Sequence, residues 1–297
     1  MNGLLIIDKP DGLTSHDVVA RVRRILKTKR VGHTGTLDPF ATGVMVILVE
    51  QATRLAQFID KDQKEYEAVV RFGYETDTGD RTGSPKSKVQ SPMSVNVEDI
   101  ERVLPQFRGH IEQVPPMYSA KKVEGKKLYE LARKGVEIER KAVAVSIYQL
   151  EIISDGELRT PHSTIRIRVV CSAGTYIRTL AEDIGRSVGT GAHLAELQRT
   201  RAGRFNISEA ITLADLEEMA DPVLALIPMS EAVAHLSEVV LNEDRVAKTI
   251  NGLSSRFPDA AFTDGDTVRM VNTATDLIAI GVYIAEEKTV QPKIVLG

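Results

Sequence analysis

The chain has 297 residues, 42% of them hydrophobic and 27% charged, which are the proportions of a folded globular protein and not of a disordered one. Its length allows one large domain plus a small one, or two of middling size. A net charge of −3 argues against nucleic acid only until the charges are located along the chain, and the single cysteine, Cys171, excludes an internal disulfide and fits a reducing cytoplasm.

The start, MNGLLIIDKPDGLTS, carries a short apolar run that Asp8 and Lys9 interrupt, with no basic segment before it and no small-residue cleavage site. It reads as a buried strand, Leu4 to Ile7, and not as a signal peptide. Asp8-Lys9-Pro10-Asp11-Gly12 ends that strand with turn chemistry. Thr14 followed by Asp17 opens a helix in the manner of a capping box, and Val18, Val22, Ile25 and Leu26 recur at helical spacing. Arg21, Arg23, Arg24, Lys27, Lys29 and Arg30 then crowd into an acid-free stretch on the outer face of this helix and just beyond it. They precede a glycine-rich loop, GHTGTLDPFATG (Gly32–Gly43), and the apolar strand Val44 to Val49.

A helix through Leu55, Phe58 and Ile59 comes next, and Lys64 to Phe72 alternates so that Tyr66, Ala68, Val70 and Phe72 share the inward face of a strand. Gly73 to Pro92 is loop-like, with Asp80 in it a loop-bracing or RNA-side residue or, more simply, the former of an Asx turn, and Asn96 caps a helix through Ile100, Val103 and Leu104. Ser119 to Arg140 is basic, carrying Lys121, Lys122, Lys126, Lys127, Arg133, Lys134 and Arg140, and has little apolar face; it reads as a mobile insertion. Two β-rich runs follow, Ala142–Ile153 and Thr164–Cys171, and Ser172-Ala173-Gly174-Thr175 turns the chain into a helix bearing Tyr176, Ile177, Arg178, Leu180, Ala181 and Ile184, closed near Gly185. Arg199, Arg201 and Arg204 form a third basic group. The acidic stretch Glu209–Asp221 reads as helix and Ile227-Pro228 as the start of a linker. Short β-runs beyond it, Val239–Leu241, Thr267–Val271, Leu277–Ile284 and Lys293–Leu296, suggest a compact β-rich module. No run approaches a membrane span, and His16, His33, His110, His162, His193 and His235 fall at no metal-ligand spacing.

Two features carry chemistry. The first is charge segregation: the three basic groups flank glycine-rich segments while Glu209 to Glu243 is nearly all acidic, which gives the near-neutral chain a face able to bind a polyanion. Any one basic run taken alone is more simply a solvated helix face. The second is Asp38, the lone acid of the glycine-rich loop. A phosphate-binding loop needs a lysine and a hydroxyl where this chain has Leu37-Asp38-Pro39, so nucleotide hydrolysis fits poorly. Asp38 is then a turn-former or a lone nucleophile, and spacing by itself favours the turn-former. A nucleophile must stay ionised, and Arg178 at the start of its helix is a candidate for lowering the aspartate pKa.

The order DKPDGLTS (Asp8–Ser15), GHTGTLDPFATG (Gly32–Gly43), KEYEA (Lys64–Ala68), MYSAKKVEGKKLYELARKG (Met117–Gly135), CSAGTYIRTLAEDIG (Cys171–Gly185) and GAHLAELQRTRAGRF (Gly191–Phe205) resembles the bacterial TruB-type tRNA pseudouridine-55 synthases from Gly3 to about Pro228. The resemblance implies a mixed α/β fold, a largely antiparallel sheet with flanking helices, over residues 1–230, with an RNA-gripping thumb at about 117–140. It implies a small PUA-like β-rich domain over 236–297. It makes Asp38 the nucleophile acting on uridine 55 of the TΨC arm of tRNA. Tyr66 would stack on the flipped base, with its hydroxyl a candidate for removing the C5 proton. Arg178 would pair with Asp38, His33 would help evict the uridine, and Tyr176 and Leu197 would line the base pocket. Lys121, Lys122, Lys126, Lys127 and Arg199 are the candidate RNA contacts, and Lys9-Pro10 would support the site. Isomerisation moves one bond from N1 to C5 without redox change, so no cofactor and no metal is expected, nor an obligate protein partner. A cytoplasmic monomer acting on tRNA is the reading. A non-catalytic tRNA-folding module and an RNA-guided pseudouridine synthase are the alternatives. Two departures stand out: Gln198-Arg199-Thr200 where the family carries an arginine pair before the threonine, and Glu50-Gln51 where it carries glycine and glutamate.

Overall fold

The computed structural model describes residues 1–59, 63–86, 95–119, 121–123, 125–132, 134–136, 138–154 and 163–297, and only the backbone of Lys122, Lys126 and Lys127. His162, Arg133 and the end of the loop expected up to Pro92 lie outside the described residues. The chain opens with β1 (Gly3–Lys9), α1 (Ser15–Ile25), β2 (Val31–Thr34), β3 (Thr42–Val49), α2 (Ala56–Ile59) and β4 (Lys64–Phe72). It continues through α3 (Val97–Val103) and β5 (Gly109–Gln113) to a small hairpin, β6 (Lys122–Val123) and β7 (Lys126–Lys127), and α4 (Leu128–Ala132). Next come β8 (Val143–Ser154), β9 (Thr164–Cys171), α5 (Ile177–Ser187), β10 (Ala192–Ala202), β11 (Phe205–Asn206), β12 (Ile211–Thr212), α6 (Leu213–Glu218) and α7 (Met229–Ala232). The last part holds β13 (Ser237–Leu241), α8 (Glu243–Ile250), β14 (Ser255–Arg256), β15 (Thr267–Asn272), β16 (Leu277–Ile284) and β17 (Thr289–Val295).

One ten-stranded sheet, in the order β12-β1-β3-β10-β4-β9-β8-β5 with β2 on β3 and β11 on β10, organises the molecule. Its neighbours run antiparallel except β1 beside β12 and β3 beside β10. The mixed, largely antiparallel sheet with flanking helices expected from the sequence is therefore present. Alternation along β4 holds as read: Tyr66, Ala68, Val70 and Phe72 are buried with Ile165, Ile167 and Val169 of β9 and with Ile177, Leu180, Ala181 and Ile184 of α5. The opposite face of the same strands is charged, with Arg168 near Glu65, Glu67 and Glu151.

β1 and β3 are apolar on both faces because both are covered. Leu5, Ile7, Met45 and Ile47 pack on Val18, Val19, Val22 and Leu26 of the α1 region. Leu4, Ile6, Val44 and Val46 pack on the other side against Val271, Leu277, Ile280 and Leu296 of the second sheet, whose order is β13-β15-β16-β17-β14. The β-rich C-terminal part thus shares a hydrophobic core with the large sheet. Ile227, read as the start of a linker, exchanges two backbone hydrogen bonds with Leu4, at 2.9 and 2.8 Å. The acidic run Glu209–Asp221 is also less helical than its composition suggests, because β12 and a short α6 divide it.

Candidate active site

Asp38 sits in a turn pinned by three buried side chains and one backbone amide from different parts of the chain. The Ser15 hydroxyl, at the start of α1, accepts from the Leu37 amide at 2.9 Å and donates to the Leu37 carbonyl at 3.0 Å. The Lys9 ammonium at the end of β1 donates to the carbonyls of Pro10, Pro39 and Ala41 at 2.9, 3.0 and 2.6 Å. The Gly12 amide donates to the Pro39 carbonyl, 2.9 Å. From β10, the Arg199 guanidinium donates to the carbonyls of Gly35 and Val44, 3.0 and 2.7 Å away. Asp38 also forms the turn itself, its carbonyl accepting from the Ala41 amide at 3.1 Å. The turn-forming reading of Asp38 is thus realised in its backbone, which leaves the carboxylate to project.

Arg178 meets that carboxylate. Its Nε lies 2.8 Å from Asp38 Oδ2 and its second terminal nitrogen donates to Oδ1 at 3.1 Å, a bidentate clamp. The rest of the guanidinium donates to the carbonyls of Thr78 and Tyr118, 2.8 and 2.7 Å away. Arg178 is 5% exposed and occupies the first turn of α5, the end of a helix that disfavours cations. A second carboxylate compensates: Asp80 Oδ2 lies 3.8 Å from Arg178. Asp80 is itself held by the Thr78 hydroxyl at 2.9 Å and by the amide and hydroxyl of Thr82 at 2.9 and 2.5 Å. The sequence reading gave Asp80 a turn-forming role, which it has, and missed its position behind Arg178. Gln113 of β5 completes the anchoring by accepting from the Tyr176 amide, 3.0 Å, at the start of α5.

A cavity of about 240 Å³ opens beside the clamp, lined by Asp38 and Arg178 together with Lys64, Tyr66, Tyr176, Leu197 and Arg199. The structure therefore brings Asp38, Tyr66, Arg178, Tyr176 and Leu197 to one place from a loop, β4, α5 and β10. A second cavity, of about 510 Å³, shares the Asp38–Arg178 wall and adds His16, Phe40, Asp80, Tyr118 and Tyr129. His33 lines neither; its ring stands edge-on to that of His16 at 5.9 Å between centroids. Lys121 belongs to the insertion, its carbonyl accepting from Leu128 at 2.9 Å, while the side chains of Lys122, Lys126 and Lys127 lie outside the described residues.

Arg199 needs correction. It was expected to meet RNA phosphate, but it is 1% exposed, on the inward face of β10 directly across from Tyr66 of β4. A guanidinium fixed to two carbonyls inside the sheet is scaffold for the cavity and has no access to a backbone phosphate outside it. Burial pushes the Asp38 carboxyl above its ordinary value; Arg178 pulls it down, as expected, without cancelling that push, and Asp80 adds to it. Burial likewise raises the phenols of Tyr66 and Tyr176 and brings Lys9 down to about 8. Among the described residues no cluster of His, Cys, Asp or Glu could hold a metal ion, and no helix is long and apolar enough to cross a membrane.

A carboxylate clamped by arginine shares a small cavity with a tyrosine on a mixed, largely antiparallel sheet, the arrangement that the resemblance to the pseudouridine synthases implies. Residues 23–177 match the family model "TruB family pseudouridylate synthase (N terminal domain)", and residues 178–240 match the "tRNA pseudouridylate synthase B C-terminal domain". The chain belongs to the TruB family. It is 44% identical over 288 residues to the tRNA pseudouridine synthase B of Solibacter usitatus, covering 95% of each chain. Its identity to that of Bacillus subtilis is 38% over 285 residues, with 94% of this chain and 92% of the relative covered. Among solved structures, the fold matches a chain in a Cbf5-Nop10-Gar1 complex with a TM-score of 0.74 at 30% identity, covering 99% of this chain and 85% of that one. A chain of an H/ACA RNP bound to a substrate RNA containing 2'-deoxyuridine matches with a TM-score of 0.73 at 28% identity.

Proposed function

We propose that this protein is a tRNA pseudouridine synthase that isomerises uridine 55 of the TΨC arm, with Asp38 as the nucleophile. The observation that carries the reading is the bidentate Asp38–Arg178 pair in the wall of the cavity that Tyr66 faces. The reaction breaks the C1′–N1 bond and makes a C1′–C5 bond. A carboxylate held at a fixed angle attacks the nucleoside or assists departure of the base. The freed uracil must turn within a closed space, and the walls of Tyr66, Tyr176 and Leu197 restrain it without gripping its polar edges. The target base first leaves the stack of the folded tRNA, at a cost of a few kcal/mol. Stacking on Tyr66, about 1–3 kcal/mol per base, helps to offset that cost.

His33, in β2 on the loop side of the sheet, serves in displacing the uridine, and the basic insertion with Lys121, Lys122, Lys126 and Lys127 contacts tRNA phosphates. Residues 1–230 form the catalytic domain, the thumb spans about 117–140, and 236–297 form the small C-terminal domain. The enzyme acts as a monomer in the cytoplasm. The RNA-guided alternative is disfavoured by the 38–44% identity to relatives named tRNA pseudouridine synthase B against 28–30% to the ribonucleoprotein chains.

The test is release of tritium to water from unmodified tRNA labelled at uridine C5, with a transcript carrying cytidine at position 55 as control. Release from the first and none attributable to position 55 in the second is expected. Intact tRNA binding without release would overturn the catalytic reading and leave a tRNA-folding module.

A further inference from the structure

Among the described residues Arg199 is the largest fully buried side chain, and it is a cation with no carboxylate pairing there. A buried unpaired charge is costly to keep, so its surroundings should show what it serves. Two of its groups are accounted for: Nε donates to the Val44 carbonyl and one terminal nitrogen to the Gly35 carbonyl, at 2.7 and 3.0 Å. These two bonds staple the ends of the Asp38 loop to β10 and fix the plane of the guanidinium. Directly opposite in the β10–β4 register stands Tyr66, on the same face, where the guanidinium charge acts on its phenol. Both line the cavity that holds Asp38.

Arginine has donors and no acceptor, so toward the phenol it can only donate, with the phenolic oxygen accepting and the phenol's own proton left to point elsewhere. Register shifts in β10 on either side of the segment from Glu196 to Arg199 set Leu197 and Arg199 opposite Ala68 and Tyr66 on the cavity face. Close packing makes the arrangement rigid: a Cβ on Gly43 would lie 2.3 Å from the Arg199 carbonyl oxygen.

We propose that Arg199 is the positioning residue for Tyr66, holding the phenolic oxygen over the cavity and stabilising the phenolate that takes the proton from C5. The inference rests on the reading of Asp38 and Tyr66 as the groups that act on uridine. After C1′ has bonded to C5, the C5–H bond breaks and its proton passes to the phenolate oxygen, giving the phenol. The electron pair of that bond restores the C5–C6 double bond, N1 takes a proton from solvent, and the phenol returns its proton to solvent before the next turnover. Besides Arg199, the charged or titratable groups facing this oxygen are Cys171 of β9, Asp38 of the loop, Lys64 of β4, and Tyr176 and Arg178 at the start of α5. Arg199 is the one whose position is fixed across the strand pair from Tyr66.

The test measures single-turnover tritium release across pH for the wild type, Arg199→Met and Arg199→Lys, with tRNA affinity and melting temperature determined for each. Rates are compared as ratios to the wild type at each pH, so that titration of Lys9 near 8 cancels. Arg199→Met should lose about tenfold or more near neutral pH, the size of a one-unit change in the phenol's titration, and the loss should narrow only as pH enters the phenol's own raised range, above 10.0, where the series must extend. Arg199→Lys should recover part of the rate, with tRNA affinity unchanged in both. A loss that is the same at every pH, or an affinity that falls by the same factor as the rate, would overturn the inference and leave Arg199 a loop staple only. Should Arg199→Met melt before assay, the lysine variant is read alone: a narrowing loss supports the role and a flat one overturns it. Absence of release from the wild type would instead refute the reading of the reaction itself.

Discussion

Replacing Arg178 with lysine keeps the positive charge and removes the fork. The guanidinium makes two contacts to Asp38, at 2.8 and 3.1 Å, while also donating to the carbonyls of Thr78 and Tyr118. A lysine ammonium is a point charge on a flexible stem and cannot bracket both carboxylate oxygens from that position while meeting both carbonyls. At least one charge-assisted bond to Asp38 is lost, worth about 1.5–3 kcal/mol. If that energy holds the carboxylate in its working orientation, its loss lowers the oriented population roughly 10- to 150-fold. Asp38 is 32% exposed along its side chain, so solvent screening places the effect toward the lower end, roughly 10- to 30-fold. A second consequence has a definite sign. Arg178 is the main influence holding the Asp38 pKa down against burial, so a weaker contact raises it further, and turnover, which needs the ionised form, loses its acid side at higher pH. Single-turnover tritium release against pH measures both. A variant within threefold of the wild type, with its acid limb unmoved, would show that the clamp is structural and not catalytic.

Three further outcomes follow from the same contacts. Asp38→Asn should abolish release while leaving tRNA affinity within about twofold, since no phosphate contact is removed. Because the folded-state pKa of Asp38 is raised, ionisation there opposes folding. That penalty is absent below the unfolded-state value of 3.8 and develops as pH rises through the folded-state value, so any thermal advantage of Asp38→Asn at neutral pH should vanish on acidification. Gly43→Ala should destabilise strongly: Gly43 has φ of +98° and the added carbon would sit 2.3 Å from the Arg199 carbonyl oxygen, backbone that cannot step aside, and a chemical melt with an unchanged midpoint would contradict this. Glu50 has φ of +54°, a left-handed backbone at the position where the family carries glycine, and its carboxylate accepts from the Thr28 hydroxyl. Glu50→Ala loses that bond and keeps the strain, whereas Glu50→Gly loses both, so the glycine variant should be the more stable of the two by about 1–2 kcal/mol in urea unfolding.

Elements with a clean period were legible in the sequence: α1 from its capping box, β4 from its alternation, and β1 and β3 from apolar runs that are covered on both sides. β10 was not, although it is central to the sheet and carries Leu197 and Arg199. Its sequence AHLAELQRTRA is rich in charge, and the register shifts along it break the simple alternation by which strands are recognised. Arg199 was misplaced for the same reason: an arginine reads as surface unless the fold supplies buried carbonyls, and the two that hold it, Gly35 and Val44, are 164 and 155 residues away. The helix α8 was hidden by its lack of a broad apolar face. Asp80 was visible as a turn residue, but its distance to Arg178 depends on α5 folding back over the loop, which no local pattern encodes.

The same distances explain why Asp38 had no partner in its own neighbourhood. A carboxylate that must attack needs its orientation set without being neutralised, and a local turn alone can fix the backbone but not the side chain. Here the two tasks are divided. Ser15, Lys9, Gly12 and Arg199 fix the loop backbone through its carbonyls and the Leu37 amide, and Arg178 alone fixes the side chain. Each backbone tether is a donor satisfied by a carbonyl, or the Ser15 hydroxyl on an amide, and of these tethers only Lys9 also acts by its charge on the carboxylate, adding to the pull of Arg178. On the proposed reading the carboxylate is therefore preorganised at little reorganisation cost during the reaction, and substitutions at Ser15 or Gly12 should lower turnover through disorder of the loop while leaving the acid limb of the pH profile where Arg178 sets it.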